Sequence, residues 1–511
     1  MSLKSSPVLA ASLIAAAIAI AAPASAKTAQ RPANETLVVT TADTLVTRHP
    51  YAESSAQMYS IWCQVYGCLG RYDYAQRKFV GQLAERWEQR DDVTWRFHLR
   101  KDLVRHDGGP GPTVADVLHS YNQVMTDPQS QGRFYLSSVK EIRRVDDHTF
   151  DVVTKEPASS LLGQLFDKFT ITSEEIFKKQ GGVASYNTAP IGWGPYKLTN
   201  FAISDRIALE RHDAYPAKVE TSPRNVLFRR IPEPDQRVTA LLNGEVQIAR
   251  LIPPQLVGRL ENVPSVEIRR APSNEPMFIG FSVKTKPWDD PRVRRAAAMA
   301  INKDVIIERI LFGMADRLDG PVGAQQICYT TPIDQKTPYD VAGARKLLAE
   351  AGYAGGGPVV DFFTATGRYI SDRQIAEAIT QMLNQAGFKA TLHTPEFAGL
   401  WANVRAGKAP MYYMGRGLAL EPSEWLSQYF ETGVTPRIGY DNPKLNELFE
   451  RERKTFDITE RCKIIREISQ LIETEAPGIF LWNHQYVSGV RKGLRYVPDA
   501  SGEIWLPDVR L

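Results

Sequence analysis

The feature that most constrains the fold is a repeated order of helix, glycine and strand between residues 340 and 394. The helix that Asp340 can cap carries its apolar residues on one face, and Gly352 can end it in the left-handed conformation. Residues 374–386 repeat this pattern, and residues 388–394 (FKATLHT) follow as a strand. Helices of about 13 residues between strands predict α/β units with parallel strand pairing.

Three short segments in the first third of the chain predict β-strands. Residues 36–41 (TLVVTT) are rich in β-branched side chains, residues 94–99 (TWRFHL) alternate apolar and polar side chains, and residues 149–154 (TFDVVT) form a third strand. Thr113 stands three residues before Asp116, the spacing of a capping box, so a helix is expected to begin there.

The first 26 residues have the pattern of a secretory signal peptide. Lys4 is the only charge before the apolar run over residues 8–22, and Ala24-Ser25-Ala26 supplies small residues for cleavage. The run is shorter than the roughly 20 residues that span a bilayer, although an N-terminal membrane anchor is the alternative. We expect a periplasmic protein beginning near Lys27, without a lipid anchor because the residue directly after the predicted cut is a lysine and not a cysteine.

Composition excludes several classes of function. The 511 residues suffice for two or three domains, and a hydrophobic content of 43% is ordinary for a globular chain. The formal net charge of +4 is too small and too evenly spread to indicate nucleic acid or a membrane surface as a partner.

The chain has four cysteines, and the predicted export places them in an oxidising compartment, where an even number favours disulfides. Cys63 and Cys68 close a short loop and predict one bridge, whereas the pairing of Cys328 and Cys462 stays open. The eight histidines are scattered singly and no Cys-x-x-Cys occurs, so neither a metal site nor a cofactor is expected.

Seven segments together resemble one known family, the extracellular solute-binding proteins of family 5. These are the dipeptide, oligopeptide and nickel binders of ATP-binding-cassette (ABC) importers. The segments occur in the family's order and span nearly the whole chain. They are LAERWE (83–88), TWRFHLRKDLVRHDGG (94–109), TVADVLHSYNQVM (113–125), IGWGPYKL (191–198), DPRVRRA through AINK (290–303), YDVAGARKLLAEAGY (339–353) and a C-terminal block over 442–482.

The resemblance implies an α/β, two-lobed type II periplasmic binding protein with an extra small domain, the cluster C-like arrangement. Lobe I would comprise residues 27–59, 190–270 and 484–511, the accessory domain residues 60–189, and lobe II residues 271–483. Residues 271–276 and 481–484 are candidate hinges. The protein would be a monomer that captures a small molecule or peptide in the cleft and delivers it to the permease and ATPase subunits of an ABC importer.

Aromatic residues are candidate walls of that cleft. By analogy with the family, five aromatic residues fall at or near cleft-facing segments, namely Tyr66, Trp193, Trp401, Trp425 and Trp482; core packing is the alternative for each tryptophan. Gly192 and Gly194 flank Trp193 and allow close approach of backbone to a ligand. The segment over residues 60–71 would line the cleft entrance, where a small disulfide loop stiffens the rim or staples the small domain.

One departure from the family concerns the ligand. Peptide-binding relatives carry an aspartate for the ligand's ammonium shortly after a Gly-Trp pair, but here Gly415 precedes Arg416 and the aspartate is missing. Glu421 is a stand-in only if the loop shifts. Arg416 instead favours a carboxylate-bearing ligand, unless it pairs with Glu421 or Glu424 inside the protein.

Two other functions are weighed against solute binding. The hypothesis of a secreted hydrolase lacks support, because neither the serine-esterase motif Gly-x-Ser-x-Gly nor the zinc-protease motif His-Glu-x-x-His occurs. A motif search does not exclude glycosidases that use a pair of carboxylates, because these enzymes have no local motif. No catalytic residues are expected. Within the family, a metal-chelate or haem carrier is the second alternative. The cargo itself, whether peptide, opine, other carboxylate, sugar or chelate, stays open.

Overall fold

The computed structural model describes residues 36–42, 47–52, 55–188, 190–216, 221–329, 337–417 and 419–511. These residues all belong to one compact unit, Ala33–Leu511. The predicted signal peptide, residues 1–26, lies outside the described residues.

The strands are β1 (Thr36–Thr41), β2 (Gly70–Asp73), β3 (Lys78–Gly81), β4 (Ala84–Asp91), β5 (Thr94–Leu99), β6 (Val139–Arg144), β7 (Thr149–Thr154), β8 (Tyr196–Ala202), β9 (Arg206–Arg211), β10 (Asn225–Arg230), β11 (Ile248–Ala249), β12 (Val266–Phe281), β13 (Ala315–Arg317), β14 (Val359–Phe363), β15 (Lys389–His393), β16 (Met411–Gly415) and β17 (Gly478–Arg491).

The α-helices are α1 (Ala56–Val65), α2 (Val114–Thr126), α3 (Leu161–Leu165), α4 (Glu174–Lys179), α5 (Ala184–Thr188), α6 (Pro234–Leu242), α7 (Pro254–Glu261), α8 (Pro291–Ala300), α9 (Lys303–Arg309), α10 (Val341–Leu348), α11 (Asp372–Gln385), α12 (Phe397–Arg405), α13 (Pro422–Phe430), α14 (Pro443–Arg453) and α15 (Ile458–Glu475). Short 3₁₀ turns lie at Gly132–Phe134 and Leu506–Asp508, and a π turn at Ala349–Tyr353 continues α10.

Two long strands hold the main sheet together. Within the described residues its order is β15-β14-β16-β12-β17-β11-β1-β10-β9-β8, with β13 paired to β17. Strands β12 and β17 are antiparallel and run through both halves of this sheet. Their register breaks between Pro272 and Pro276, inside the first predicted hinge segment. The lobe boundaries themselves stay predictions.

A smaller antiparallel sheet, β4-β5-β7-β6, lies within residues 84–154. The rings of Phe97 on β5 and Phe150 on β7 stack at a centroid distance of 5.4 Å and are fully buried. They belong to the same hydrophobic core as Leu37 of β1 and Trp62 of α1. This shared core packs the small sheet against the β1 side of the main sheet.

Most local predictions from the sequence are confirmed. Strands β1, β5 and β7 have the predicted bounds, and the Thr113 backbone N–H and hydroxyl donate to Asp116 Oδ2 at 2.8 and 2.9 Å at the start of α2. Gly352 has a φ of +96°, the left-handed conformation expected after α10. Parallel pairing is confirmed for β14 with β15, but β12 pairs antiparallel with both β16 and β17 because the chain crosses between the two halves along these strands.

Both cysteine pairs are disulfides. Cys63, near the end of α1, is bonded to Cys68, five residues later. Cys328 is bonded to Cys462 of α15, 134 residues away in the sequence. The second bridge therefore ties the loop after β13 to the C-terminal helix.

Candidate functional site

The strongest candidate for a binding site is a cavity formed by segments from distant parts of the chain, here called the central cavity. About 740 Å³ of its space is not filled by protein atoms, and part of that space is open to solvent. Its walls come from α1, β2, the loop after α3, β12 and the C-terminal segment. The lining residues are Ala56, Tyr59, Ser60, Cys63, Arg71, Tyr72, Tyr74, Gly163, Phe166, Asp167, Lys168, Asn274, Leu420, Asp499, Ser501, Glu503 and Trp505.

Aromatic rings form much of the wall. Tyr72 and Tyr74 meet edge to face at 5.1 Å, and Tyr72 meets Phe79 in the same way. The Arg71 guanidinium lies over the ring of Trp505, 4.8 Å from its centroid. Such walls supply apolar contact area, and the polar groups among them fix a ligand's orientation.

Three of the five charged groups in this lining have partners within the protein. Arg71 lies 3.6 Å from Asp73 and 3.7 Å from Asp508. Lys168 Nζ donates to Gly163 O at 2.8 Å and lies 3.9 Å from Glu424. Glu503 accepts from Arg250 at 3.0 Å. The charges of Arg71, Lys168 and Glu503 are thus at least partly balanced before any ligand enters.

The other two charged groups, Asp167 and Asp499, form no ion pair within 4 Å with the part of the chain that the structure describes. The Tyr72 backbone N–H donates to Asp167 Oδ2, and the Ser501 backbone N–H donates to Asp499 Oδ1, both at 2.9 Å. Burial raises the pKa of Asp167 to about 6, against the hydrogen bond from Tyr72, and burial also raises the pKa of Asp499. The charges of Arg71 and Lys168 oppose the rise at Asp167, and those of Arg71 and Arg250 oppose it at Asp499, so the cavity holds two buried carboxyl groups with positive charge nearby but without an ion-pair contact in the described residues.

This arrangement predicts a pH-dependent stability of the ligand-free protein. The folded-state pKa of Asp167 lies above the value of about 3.9 expected in the unfolded chain, so the folded protein binds the proton more tightly. The resulting contribution to the free energy of unfolding is fully present below pH 4 and is lost as the pH rises through 6. Comparison of the wild type with Asp167→Asn isolates this carboxyl from its neighbours Arg71, Lys168, Tyr72, Tyr74 and Asp499.

The wild type should lose about 2 kcal/mol relative to Asp167→Asn between pH 4.5 and 7. Urea unfolding of both proteins across this range measures the difference. A stability difference that does not change with pH would contradict the assignment.

A second charged group adjoins the cavity. Glu275 interacts electrostatically with Arg368 and Arg416, and Arg416 interacts with Arg437; these three arginines are here called the arginine cluster. Burial raises the pKa of Glu275, and the charges of Arg368 and Arg416 oppose that rise. The charge of Arg416 in turn contributes to the lowered pKa of Arg437, whose main cause is burial. The two guanidinium groups that act on Glu275, together with Arg437 beside Arg416, outnumber this carboxylate, which leaves positive charge unbalanced.

The backbone of Arg416 is fixed by a hydrogen bond, whereas part of its guanidinium has no hydrogen-bond acceptor among the described residues. Its N–H donates to Pro276 O at 3.1 Å, and Nη1 donates to Gly417 O at 3.2 Å. Its buried Nε donates to no described residue. Arg437 Nη1 donates to Gln428 Oε1 at 2.9 Å, and its guanidinium lies over the rings of Trp401 and Tyr429.

The central cavity and the arginine cluster are neighbours. Asn274 lines the cavity and Glu275 follows it in β12. The pKa of Tyr486 is raised by burial and then by the charges of Glu275, Glu503 and Asp499. Glu275 beside the arginine cluster and Asp499 of the cavity thus both lie within electrostatic range of Tyr486.

Of the five aromatic residues predicted at cleft-facing segments, four are buried in hydrophobic cores and Trp401 packs, partly buried, against one; none of them is among the described residues that line the central cavity. Trp193 Nε1 donates to Pro110 O at 2.8 Å, and Tyr66 packs against Trp62 and Tyr186. Trp425 packs against Phe278, and Trp482 against Tyr413. Their predicted contacts with a ligand stay predictions.

The glycines beside Trp193 approach protein backbone. A Cβ on Gly192 would lie 2.2 Å from Tyr66 Cα, and one on Gly194 would lie 2.1 Å from Gln64 O. The close approach that these glycines allow thus serves the packing of this loop on α1.

Glu421 is committed to an internal ion pair. Arg461 Nη2 donates to Glu421 Oε2, and Arg461 Nε donates to Glu452 Oε1, both at 2.6 Å. Glu424 lies near Lys168, and Arg416 pairs with neither glutamate in the part of the chain that the structure describes. Of the predicted polar contacts, Arg416 alone keeps unused hydrogen-bonding groups beside the cavity.

Sequence reasoning missed Asp167, Asp499 and Trp505. They come from segments far apart in the chain, and no local motif marks them. The segment over residues 60–71, singled out as a lining of the cleft entrance, contributes Ser60, Cys63 and Arg71 to the cavity.

Neither a metal site nor a membrane span is found among the described residues. No group of three or more histidine, cysteine, aspartate or glutamate side chains there is arranged to hold a metal ion. No helix in those ranges is long and apolar enough to cross a bilayer.

Comparison with known proteins identifies relatives. A family model described as bacterial extracellular solute-binding proteins, family 5 Middle, matches residues 78–435. The glutathione-binding protein GsiB of Pectobacterium atrosepticum is 26% identical over 507 residues, which cover 95% of this chain and 96% of that protein.

Two solved structures illustrate the likeness in fold. HbpA2 from Haemophilus parasuis has a TM-score of 0.83 at 21% identity, covering 93% of this chain and 100% of that one. The protein AgaA from A. tumefacien R10, solved in complex with agropinic acid, has a TM-score of 0.75 at 25% identity, covering 93% and 99%.

Proposed function

Because the chain belongs to the bacterial extracellular solute-binding proteins of family 5 and has their two-lobed α/β fold of type II, we propose that it captures a carboxylate-bearing, peptide-like solute in the central cavity. It is then the monomeric periplasmic subunit that delivers this solute to the permease and ATPase subunits of an ABC importer. The family is one of solute-binding proteins rather than enzymes. The observation that carries the choice of solute is the unbalanced positive charge of the arginine cluster.

The lobe assignment belongs to this proposal. The central cavity has walls from all three predicted parts, and the register of β12 breaks within the first predicted hinge. These observations support lobe I at residues 27–59, 190–270 and 484–511, an accessory domain at residues 60–189 and lobe II at residues 271–483.

The case for a carboxylate rests on the hydrogen-bonding capacity of Arg416. A guanidinium presents donors in a planar fork that matches the two oxygens of a carboxylate. Arg416 Nε is buried without a described partner, and a donor in that state costs roughly 1–3 kcal/mol. A ligand carboxylate beside Arg416 would accept a hydrogen bond from this Nε and would balance the positive charge of the arginine cluster that Glu275 does not neutralise.

The named ligands of two relatives support this class of solute. The relatives bind glutathione and agropinic acid according to their names, and both compounds carry carboxylate groups. For this chain we propose a solute of the same chemical kind, with a length suited to both the cavity and the arginine cluster.

Arg416→Ala should weaken binding of a carboxylate solute by roughly 10- to 100-fold, because it removes a charged hydrogen bond of about 1.5–3 kcal/mol. The wild type is first screened by thermal melting against glutathione, dipeptides, opines, other carboxylates, oligosaccharides and metal chelates. The best ligand is then titrated by calorimetry against both proteins.

Two controls sharpen this experiment. Arg309→Ala removes an arginine that is 75% exposed and should leave the affinity unchanged. The ligand with its carboxylate converted to an amide should bind the wild type and Arg416→Ala equally. An unchanged affinity in Arg416→Ala would refute the role of this arginine, and a response to metal chelates alone would favour the metal-chelate carrier.

A further inference from the structure

We propose that Asp167 and Asp499 form a cation subsite in the central cavity, which takes a primary ammonium group of the solute. This inference rests on the proposed function and specifies its substrate class. The solute is a zwitterion that directs its ammonium group to the two aspartates and its carboxylate to the arginine cluster.

The first argument is the charge that remains in the cavity. Arg71, Lys168 and Glu503 have the protein partners described above, whereas Asp167 and Asp499 have no ion-pair partner in the described ranges. Each aspartate uses one carboxylate oxygen for a backbone N–H, which leaves Asp167 Oδ1 and Asp499 Oδ2 without a hydrogen bond from a described residue. Arg71, Lys168 and Arg250 act on these carboxylates from beyond 4 Å, and a cationic ligand supplies the direct counter-charge that they do not.

The second argument is a buried amide in the same cavity. Asn274 is only 3% exposed and lines the cavity. Its Nδ2 donates to the Tyr74 hydroxyl at 2.7 Å, while its Oδ1 accepts no hydrogen bond from a described residue. A primary ammonium has three donors and no acceptor, so it matches the three acceptors in this lining that receive no hydrogen bond from a described residue, those of Asp167, Asp499 and Asn274.

The backbone at Asp167 supports a functional role. Asp167 has a φ of +65°, in the left-handed region that non-glycine residues rarely adopt. Its N–H donates to Gly70 O at 3.0 Å, which holds the residue beside β2. Strained backbone persists where the surrounding structure enforces it and is common in binding sites.

The subsite also accounts for the presence of Arg416 where peptide-binding relatives have a different pattern. Peptide-binding relatives receive the ligand's ammonium at an aspartate that this chain lacks after Gly415. The two aspartates of the central cavity provide acceptors on another wall, and Arg416 turns the former ammonium position into one for an anion. The solute would therefore lie with its charges in the opposite order along the site.

The test compares free and blocked amines. Two compounds, glutathione and the dipeptide glycylleucine, are each used in two forms, one with the free amino group and one in which that group is N-acetylated. All four ligands are titrated into the wild type, Asp167→Asn and Asp499→Asn. Asparagine keeps the acceptor for the backbone N–H at both positions but removes the charge. Asp102→Asn, an exposed aspartate paired with Arg100, serves as the control.

The wild type should bind the free amines at least 10-fold more tightly than the N-acetylated forms. Each cavity variant should lose at least 10-fold in affinity for the free amines and less than 3-fold for the acetylated ones. The melting temperature of the ligand-free variants should stay level or rise, because an unbalanced buried charge has been removed. A merely structural aspartate would instead lower the melting temperature and weaken both forms alike.

Each alternative outcome decides between the two proposals. Equal binding of free and acetylated forms by the wild type overturns the cation subsite, whatever the variants do, and leaves carboxylate capture intact. Binding of free amines that is insensitive to amidation of the carboxylate supports the subsite and refutes the role of the arginine cluster. Absence of any binding by folded wild-type protein overturns both.

Discussion

Replacing Arg461 with alanine should lower the free energy of unfolding by about 3–5 kcal/mol, because it removes the shared partner of two buried glutamates. Arg461 binds Glu421 and Glu452 at 2.6 Å each, and the three side chains are 4%, 1% and 2% exposed. Without the guanidinium, two buried carboxylates of like charge face each other without a counter-charge. Urea unfolding followed by circular dichroism measures the loss.

The same helix supplies a matched control. Lys463 of α15 pairs with Glu460 at 2.6 Å, but its side chain is 62% exposed. Lys463→Ala should cost at most about 1 kcal/mol, because surface ion pairs contribute little. A loss in Arg461→Ala no larger than that in Lys463→Ala would show that the buried triad does not stabilise the fold.

Removal of the Cys328–Cys462 disulfide should have a comparable effect. The bridge closes a loop of 134 residues, and the chain-entropy estimate for a loop of this length is about 4–5 kcal/mol. The Cys63–Cys68 bridge closes a loop of only five residues, for which the same estimate is about 2 kcal/mol. The Cys328→Ser/Cys462→Ser double variant should therefore be the less stable of the two double variants.

Chemical unfolding of both double variants, without reductant, checks this order. The wild type in the presence of reductant should approach the stability of the variant that lacks both bridges. If loss of the short bridge costs as much as loss of the long one, loop entropy is not the source of the stabilisation.

Local structure could be predicted from the sequence because the determining interactions are local. The side chain of Asp116 reaches the backbone of Thr113 within one helical turn, and the alternation in residues 94–99 fixes the face of β5. The predicted two-lobed α/β fold and the family are confirmed because many such segments occur in one order. Parallel pairing was predicted for the helix–strand units over residues 340–394 and is found between β14 and β15, whereas no local pattern indicated the antiparallel pairing of β12 and β17, which depends on how the chain crosses the molecule.

The site could not be predicted to the same extent. Whether Trp193 or Trp425 contacts a ligand depends on tertiary packing, and in the structure both are enclosed by side chains of their own core. Asp167 and Asp499 become neighbours of one cavity only after the chain folds. Arg416 could be found from sequence because it departs from a short motif, and that signal needs no tertiary information.

Mass spectrometry of the protein purified from the periplasm without refolding tests the central claim most directly. We predict a one-to-one complex with a small solute that bears a carboxylate and a primary amine, and loss of that solute from Arg416→Ala. Folded protein that carries only a solute without an acidic group, or that carries none and does not respond to the carboxylate panel, would contradict the account.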